Sequence, residues 1–81
     1  MTLDLLPPKA TARVSAIHLA DAEAAWVRAV GIYEGETVSV LRRAALGGPL
    51  HVRTGSGGEF ALDRGLAAAI EVALGDDGGA P

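Results

Sequence analysis

Gly31 and Gly35 punctuate the chain in a way that leaves few folds open. Before Gly31, the residues Ala22, Ala25, Trp26, Ala29 and Val30 recur at helical spacing, so a short helix with one apolar face is expected. Asp21 is expected to cap it and Glu23 to meet the helix dipole, while Arg28 lies off the stripe. Gly31 stands where a helix wants a left-handed C-terminal residue. After Gly35 the pattern switches to alternation. Val38 and Val40 point one way; Thr37, Ser39 and Leu41 point the other. Gly47-Gly48-Pro49 then turns the chain, and Leu50 and Val52 face inward with His51 and Arg53 outward. A helix of about ten residues is marginal alone, so it must pack on the sheet that these strands begin.

The flanks extend the same architecture. Leu3, Leu5 and Leu6 precede Pro7-Pro8 and read as an extended arm whose leucines pack on the domain. A strand is expected from about Ala12 to Leu19. Its inward phase changes between Ala16 and Ile17, which a β-bulge produces. Thr54 to Gly58 is a hairpin tip, Phe60 and Leu62 face inward from a fourth strand, and Asp63 to Leu66 is a tight helical turn. Ile70, Val72 and Leu74 make a fifth strand. Residues 75–81 carry no large hydrophobic side chain and are expected to be a disordered tail on a single domain spanning 1–74. Five short strands with close turns predict a mainly β fold, a small SH3-like five-stranded barrel with one short α-helix in the first long connection.

Composition removes several classes of function. The chain has 81 residues, enough for one small domain with a modest core. It contains no cysteine, which excludes disulfides, thiolate metal sites and cysteine nucleophiles. No apolar run approaches the roughly 18 residues that span a bilayer, so no direct membrane insertion is expected. A net charge of −3 argues against nucleic-acid binding, which requires neutralising phosphates. The start of the chain lacks the pattern of a secretory signal, and a cytoplasmic location is expected.

The order and spacing of these pieces resemble the FeoA family, ferrous iron transport protein A. The residues that carry the likeness are the leucine-rich arm before Pro7-Pro8, Ala12-Arg13-Val14, and Val30-Gly31-Ile32 with Gly35. Val38-Ser39-Val40, Leu46 to Val52, Phe60-Ala61-Leu62 and Leu66 to Val72 complete it. The family often has glycine where Lys9 stands, and a more basic, leucine-rich helix than Ala22 to Val30. The resemblance implies a small cytoplasmic accessory protein of ferrous iron uptake that binds and modulates the membrane transporter FeoB.

Chemistry-bearing residues are sparse. His18 and His51 suit a transition metal in type, but neither has a nearby ligand in a recognisable spacing, and both read as ordinary strand residues. Arg42 and Arg43 end the second strand and read as a solvated edge that discourages strand pairing. Gly55 to Gly58 lacks the lysine and the following helix of a phosphate loop. Ser15, Ser39 and Ser56 have no neighbouring base, so no enzyme activity and no cofactor are expected. Trp26, Tyr33 and Phe60 are too few to line a proline-peptide groove. Trp26 is expected in the core. Arg28, Gly31, Ile32 and Tyr33, at the helix C-terminus and the following turn, are the expected partner surface. Two other readings compete with docking on a transporter. One is a metal sensor or carrier using His18, His51 or carboxylates; the other is a self-associating module.

Overall fold

The structure is a computed structural model that describes residues 1–74. Five antiparallel strands form one sheet: β1 (Thr11–Ile17), β2 (Thr37–Arg43), β3 (Leu50–Thr54), β4 (Glu59–Leu62) and β5 (Ile70–Leu74). Their spatial order is β4-β3-β2-β1-β5, so the last strand returns to lie beside the first. Helix α1 (Asp21–Ala29) fills the long connection between β1 and β2, as expected, and α2 (Arg64–Ala67) is one turn before β5. The sheet curls like an SH3 barrel without strictly closing, since β4 and β5 are not paired with each other. The free side of β5 is met instead by the chain start: Val72 N donates to Met1 O at 2.8 Å, and Thr2 bridges Glu71. Residues 75–81, expected as a disordered tail, lie outside the described residues.

Alternation places the core as the sequence predicts on most strands. Val38, Val40, Leu50, Val52, Leu62, Ile70 and Val72 are buried, and Phe60 is half-buried against them. Leu74 departs from its strand's pattern and is exposed, because β5 runs out past the core there. Two bulges set the strand phases. In β1, Val14 pairs with Val72 and Ala16 with Glu71, which makes Ser15 the extra residue. The expected shift is thus real but falls earlier in the strand, leaving both Ala16 and Ile17 half-buried. In β2, Val40 pairs with Val52 and Arg42 with His51, which makes Leu41 the extra residue.

The N-terminal arm is a 3-10 turn over Leu3–Leu5 rather than an extended segment. Leu3 and Leu6 are fully buried, but Leu5 points outward because the turn's spacing puts it on the far side. Arg43 holds this arm. Its guanidinium donates to Asp4 O at 2.6 Å and Leu6 O at 2.5 Å. Arg43 is therefore a clamp and not a solvated edge residue; Arg42, on the other side of the strand, is exposed. Lys9 follows with φ +73, the left-handed region that glycine favours, and its N–H donates to Val40 O at 2.7 Å.

The helix buries a different stripe from the expected one. Ala24 and Val27 face the sheet, whereas Ala22, Ala25, Trp26 and Ala29 are exposed. Trp26 lies across the rim, edge-on to Phe60 with ring centroids 6.2 Å apart. Asp21 is inside the first turn and makes no capping bond, because the chain enters the helix one residue earlier, at Ala20.

Candidate partner-binding surface

Helix α1 ends in a Schellman motif. Gly31 N donates to Arg28 O at 3.1 Å and Ile32 N to Val27 O at 2.9 Å. Gly31 takes φ +112, and a Cβ there would sit 3.3 Å from the Thr54 side chain. The motif brings Ile32 onto Val27, and both are fully buried. Ile32 therefore closes the core beneath the expected partner surface and is not displayed on it. The sequence points to Ile32 as apolar; it does not reveal that the helix stop turns that side chain inward.

Tyr33 is displaced to the outside by the same geometry and is 45% exposed. Its turn is fixed at several points. Glu36 N donates to Tyr33 O at 3.0 Å, Gly35 N donates to Val14 O at 2.9 Å, and Arg13 donates to Gly35 O at 2.5 Å. The Tyr33 hydroxyl donates to Glu36 Oε2 at 3.3 Å. Arg28 donates to Glu34 Oε2 at 2.9 Å, and this hydrogen bond holds the Glu34 carboxyl below its ordinary pKa. The surface thus presents an aromatic ring on a rigid turn beside a surface ion pair. Trp26, 46% exposed on the helix, is a second exposed aromatic that helical periodicity had assigned to the core.

The histidines are not brought together. His18 Nε2 lies 3.4 Å from Glu71 Oε2, and His51 Nε2 lies 3.4 Å from Glu59 Oε1. Both glutamates arrive from other strands, which is why no ligand spacing is visible along the sequence. Glu59 is also gripped by Arg53 through Nε at 3.0 Å and Nη2 at 2.6 Å. The Arg53 bonds, then the His51 contact, hold the Glu59 carboxyl below its ordinary pKa. Among the described residues no three histidine or carboxylate side chains gather in a way that could hold a metal ion.

Ser56 and Asp63 are occupied structurally. Ser56 Oγ meets Thr54 Oγ1 at 3.0 Å, and Asp63 caps α2 by accepting from Gly65 N at 2.9 Å and Leu66 N at 3.3 Å. Asp63 and Glu59 therefore face different tasks and do not form an acid–base pair. No helix of the described residues is long and apolar enough to cross a membrane.

A small SH3-like fold with aromatic rings at its surface defines the class, an SH3-like accessory domain. The FeoA domain family matches residues 1–74, and the chain belongs to that family. Ferrous iron transport is the process that this family assists.

Solved structures agree. The FeoA protein of Chlorobium tepidum is 30% identical, with a TM-score of 0.85 over 100% of this chain and 81% of that one. The FeoA of Stenotrophomonas maltophilia, solved in complex with zinc and described as an SH3-domain protein, is 34% identical. It covers 90% of this chain and 89% of its own, with a TM-score of 0.76. A manganese-dependent transcriptional repressor contains a similar domain, 27% identical over 91% of this chain but only 36% of that one, with a TM-score of 0.83. No curated protein matches the chain by sequence.

Proposed function

We propose that this protein is a cytoplasmic accessory factor that docks on the cytosolic part of a FeoB-type ferrous iron transporter and shifts its conformational balance. The observation that carries this reading is Tyr33, an exposed ring on a turn pinned by backbone bonds, in a member of a ferrous-iron transport family. A rigid aromatic loses little entropy when it is covered, which suits it to a contact. Arg28 and Gly31 support the surface, Arg28 by its exposed head and Gly31 by the turn it permits. Ile32 contributes only from below. The Stenotrophomonas relative is described as a candidate ferrous iron transport activating factor, which agrees with this role. A regulator of this kind acts only if it binds two transporter states with different affinity.

The test is titration of the full chain against the purified cytosolic domains of the transporter from the same source, with and without nucleotide and ferrous ion. Tyr33→Ala is expected to weaken binding roughly tenfold and leave folding stability within about 0.5 kcal/mol. Saturable binding that Tyr33→Ala does not alter would remove this surface from the contact. Direct metal binding is a second reading, supported by the zinc complex of the relative and by the His18–Glu71 pair at 3.4 Å. A rise in thermal midpoint with added zinc, lost in His18→Ala, would favour it.

A further inference from the structure

The turn between β2 and β3 breaks two local rules at one residue. Leu46 has φ +59 and is fully exposed, and Gly47 follows at φ +75. Positive φ at both central residues, with Gly48 N donating to Ala45 O at 3.2 Å, makes this a type I′ turn. Such turns favour asparagine, aspartate or glycine at the first central position, because a Cβ there crowds the backbone. Leucine also leaves its whole apolar side chain in water. Neither cost is offset by any packing of the side chain in the fold. A residue that is both strained and exposed directs the search to a contact made outside the chain.

Its surroundings describe what that something is. Ala44, Ala45 and Pro49 are exposed, so the tip is apolar. From Arg42 to Pro49 the only charged residues are Arg42 and Arg43. Directly behind the turn is a hollow of about 180 Å³ lined by Arg42, Ala44, Pro49, His51 and Ala61 among others. Arg42 makes no salt bridge among the described residues. Lys9, the other non-glycine residue with positive φ, is bonded through its N–H to Val40 O and adds a second unpaired cation beside the same strand. An apolar knob thus adjoins a cationic hollow on a chain whose net charge is −3.

We propose that Leu46 is an anchor that enters an apolar pocket on a protein partner, while a carboxylate beside that pocket enters the hollow and pairs with Arg42. The occupant is an acidic protein surface carrying one apolar pocket. This rests on the docking reading above and gives it a second contact, remote in sequence from Tyr33. An anionic lipid surface matches the cations less well. Stable attachment to a bilayer takes a broad apolar face or a polybasic cluster, and this tip offers one bulky side chain on an acidic chain.

The experiment uses the full chain, the same transporter domains, and vesicles of mixed phosphatidylglycerol and phosphatidylethanolamine. Leu46→Asn creates the Asn-Gly sequence that a type I′ turn prefers, so the thermal midpoint is expected to rise by about 2–5 °C. Binding to the transporter domains is expected to weaken roughly tenfold or more. Leu46→Met is expected to retain binding, and Arg42→Glu to weaken it with a reduced dependence on salt. A lower midpoint in Leu46→Asn would assign the leucine to the fold and overturn the proposal. Wild-type binding that Tyr33→Ala weakens and Leu46→Asn does not would overturn it and leave the docking reading standing. Vesicle binding that depends on Leu46 would overturn it in favour of lipid. Failure of the wild-type protein to bind the domains under any condition would overturn both readings.

Discussion

Removing the Arg43 side chain should release the N-terminal arm, and the structure sets the size of the effect. The guanidinium makes two charge-assisted hydrogen bonds, to Asp4 O and Leu6 O, at a half-buried position. Bonds to a charged donor contribute about 1.5–3 kcal/mol each when buried. Here the freed carbonyls regain water, so Arg43→Ala should cost about 1–2.5 kcal/mol in total. The arm has a separate hold through Leu3 and Leu6, both fully buried, each contributing about 1.5–3 kcal/mol. Leu6→Ala should therefore cost about 2–4 kcal/mol, a large share for a domain whose stability is about 4–12 kcal/mol. The two holds act on one segment. Once Leu6→Ala has loosened it, Arg43 has less to clamp, and the double variant should fall short of the summed single costs by about 1 kcal/mol. Urea unfolding measures all four members of this cycle. Amide exchange locates the effect: the N–H of Lys9, bonded to Val40 O, should exchange faster in Arg43→Ala, while that of Val52 should follow global unfolding. Additivity within about 0.3 kcal/mol would refute the clamp.

Gly31→Ala should destabilise the domain by about 1–3 kcal/mol, since alanine is strained at φ +112 and its Cβ presses on Thr54 at 3.3 Å; chemical denaturation measures this. Arg53→Met should return the Glu59 carboxyl toward its ordinary pKa, followed by NMR titration of the side-chain carbon. Because the folded-state pKa of Glu59 is depressed, its pairing stabilises the fold above the unfolded carboxylate pKa and is lost as pH falls through the folded one. The wild-type protein should thus lose stability on acidification in a window that Arg53→Met narrows.

The middle strands were legible because they alternate sharply. Val38 and Val40 flank Ser39, and Leu50 and Val52 flank His51, so the inward face has one solution. The helix face was not legible, because α1 holds four alanines in nine residues and alanine fits either face. Trp26 then tilted the reading by its bulk, although the sheet admits only the narrower stripe of Ala24 and Val27. Gly31 announced its own conformation, whereas Lys9 and Leu46 adopt the same region with no glycine to mark it. The Arg43 clamp and the Glu71 beside His18 join segments far apart in sequence, and the Glu59 beside His51 lies across a hairpin, so only the folded structure shows them. Of the expected partner residues Tyr33 is exposed and Ile32 is buried, for the single reason that a Schellman turn carries the residue after its glycine into the core.

The pairing of the first strand with the last has a consequence for how the molecule comes into being. Ala12 meets Leu74, and Ile17 meets Ile70, so β1 waits for the end of the domain before one of its two sides is covered. During folding, β1 and β2 can form a ladder, but β1 keeps an open edge of unpaired amides until β5 arrives. Closing so long a loop is slow relative to local contacts. A chain without β5 would therefore carry a half-made sheet, with β1 open along one side to pairing with another chain.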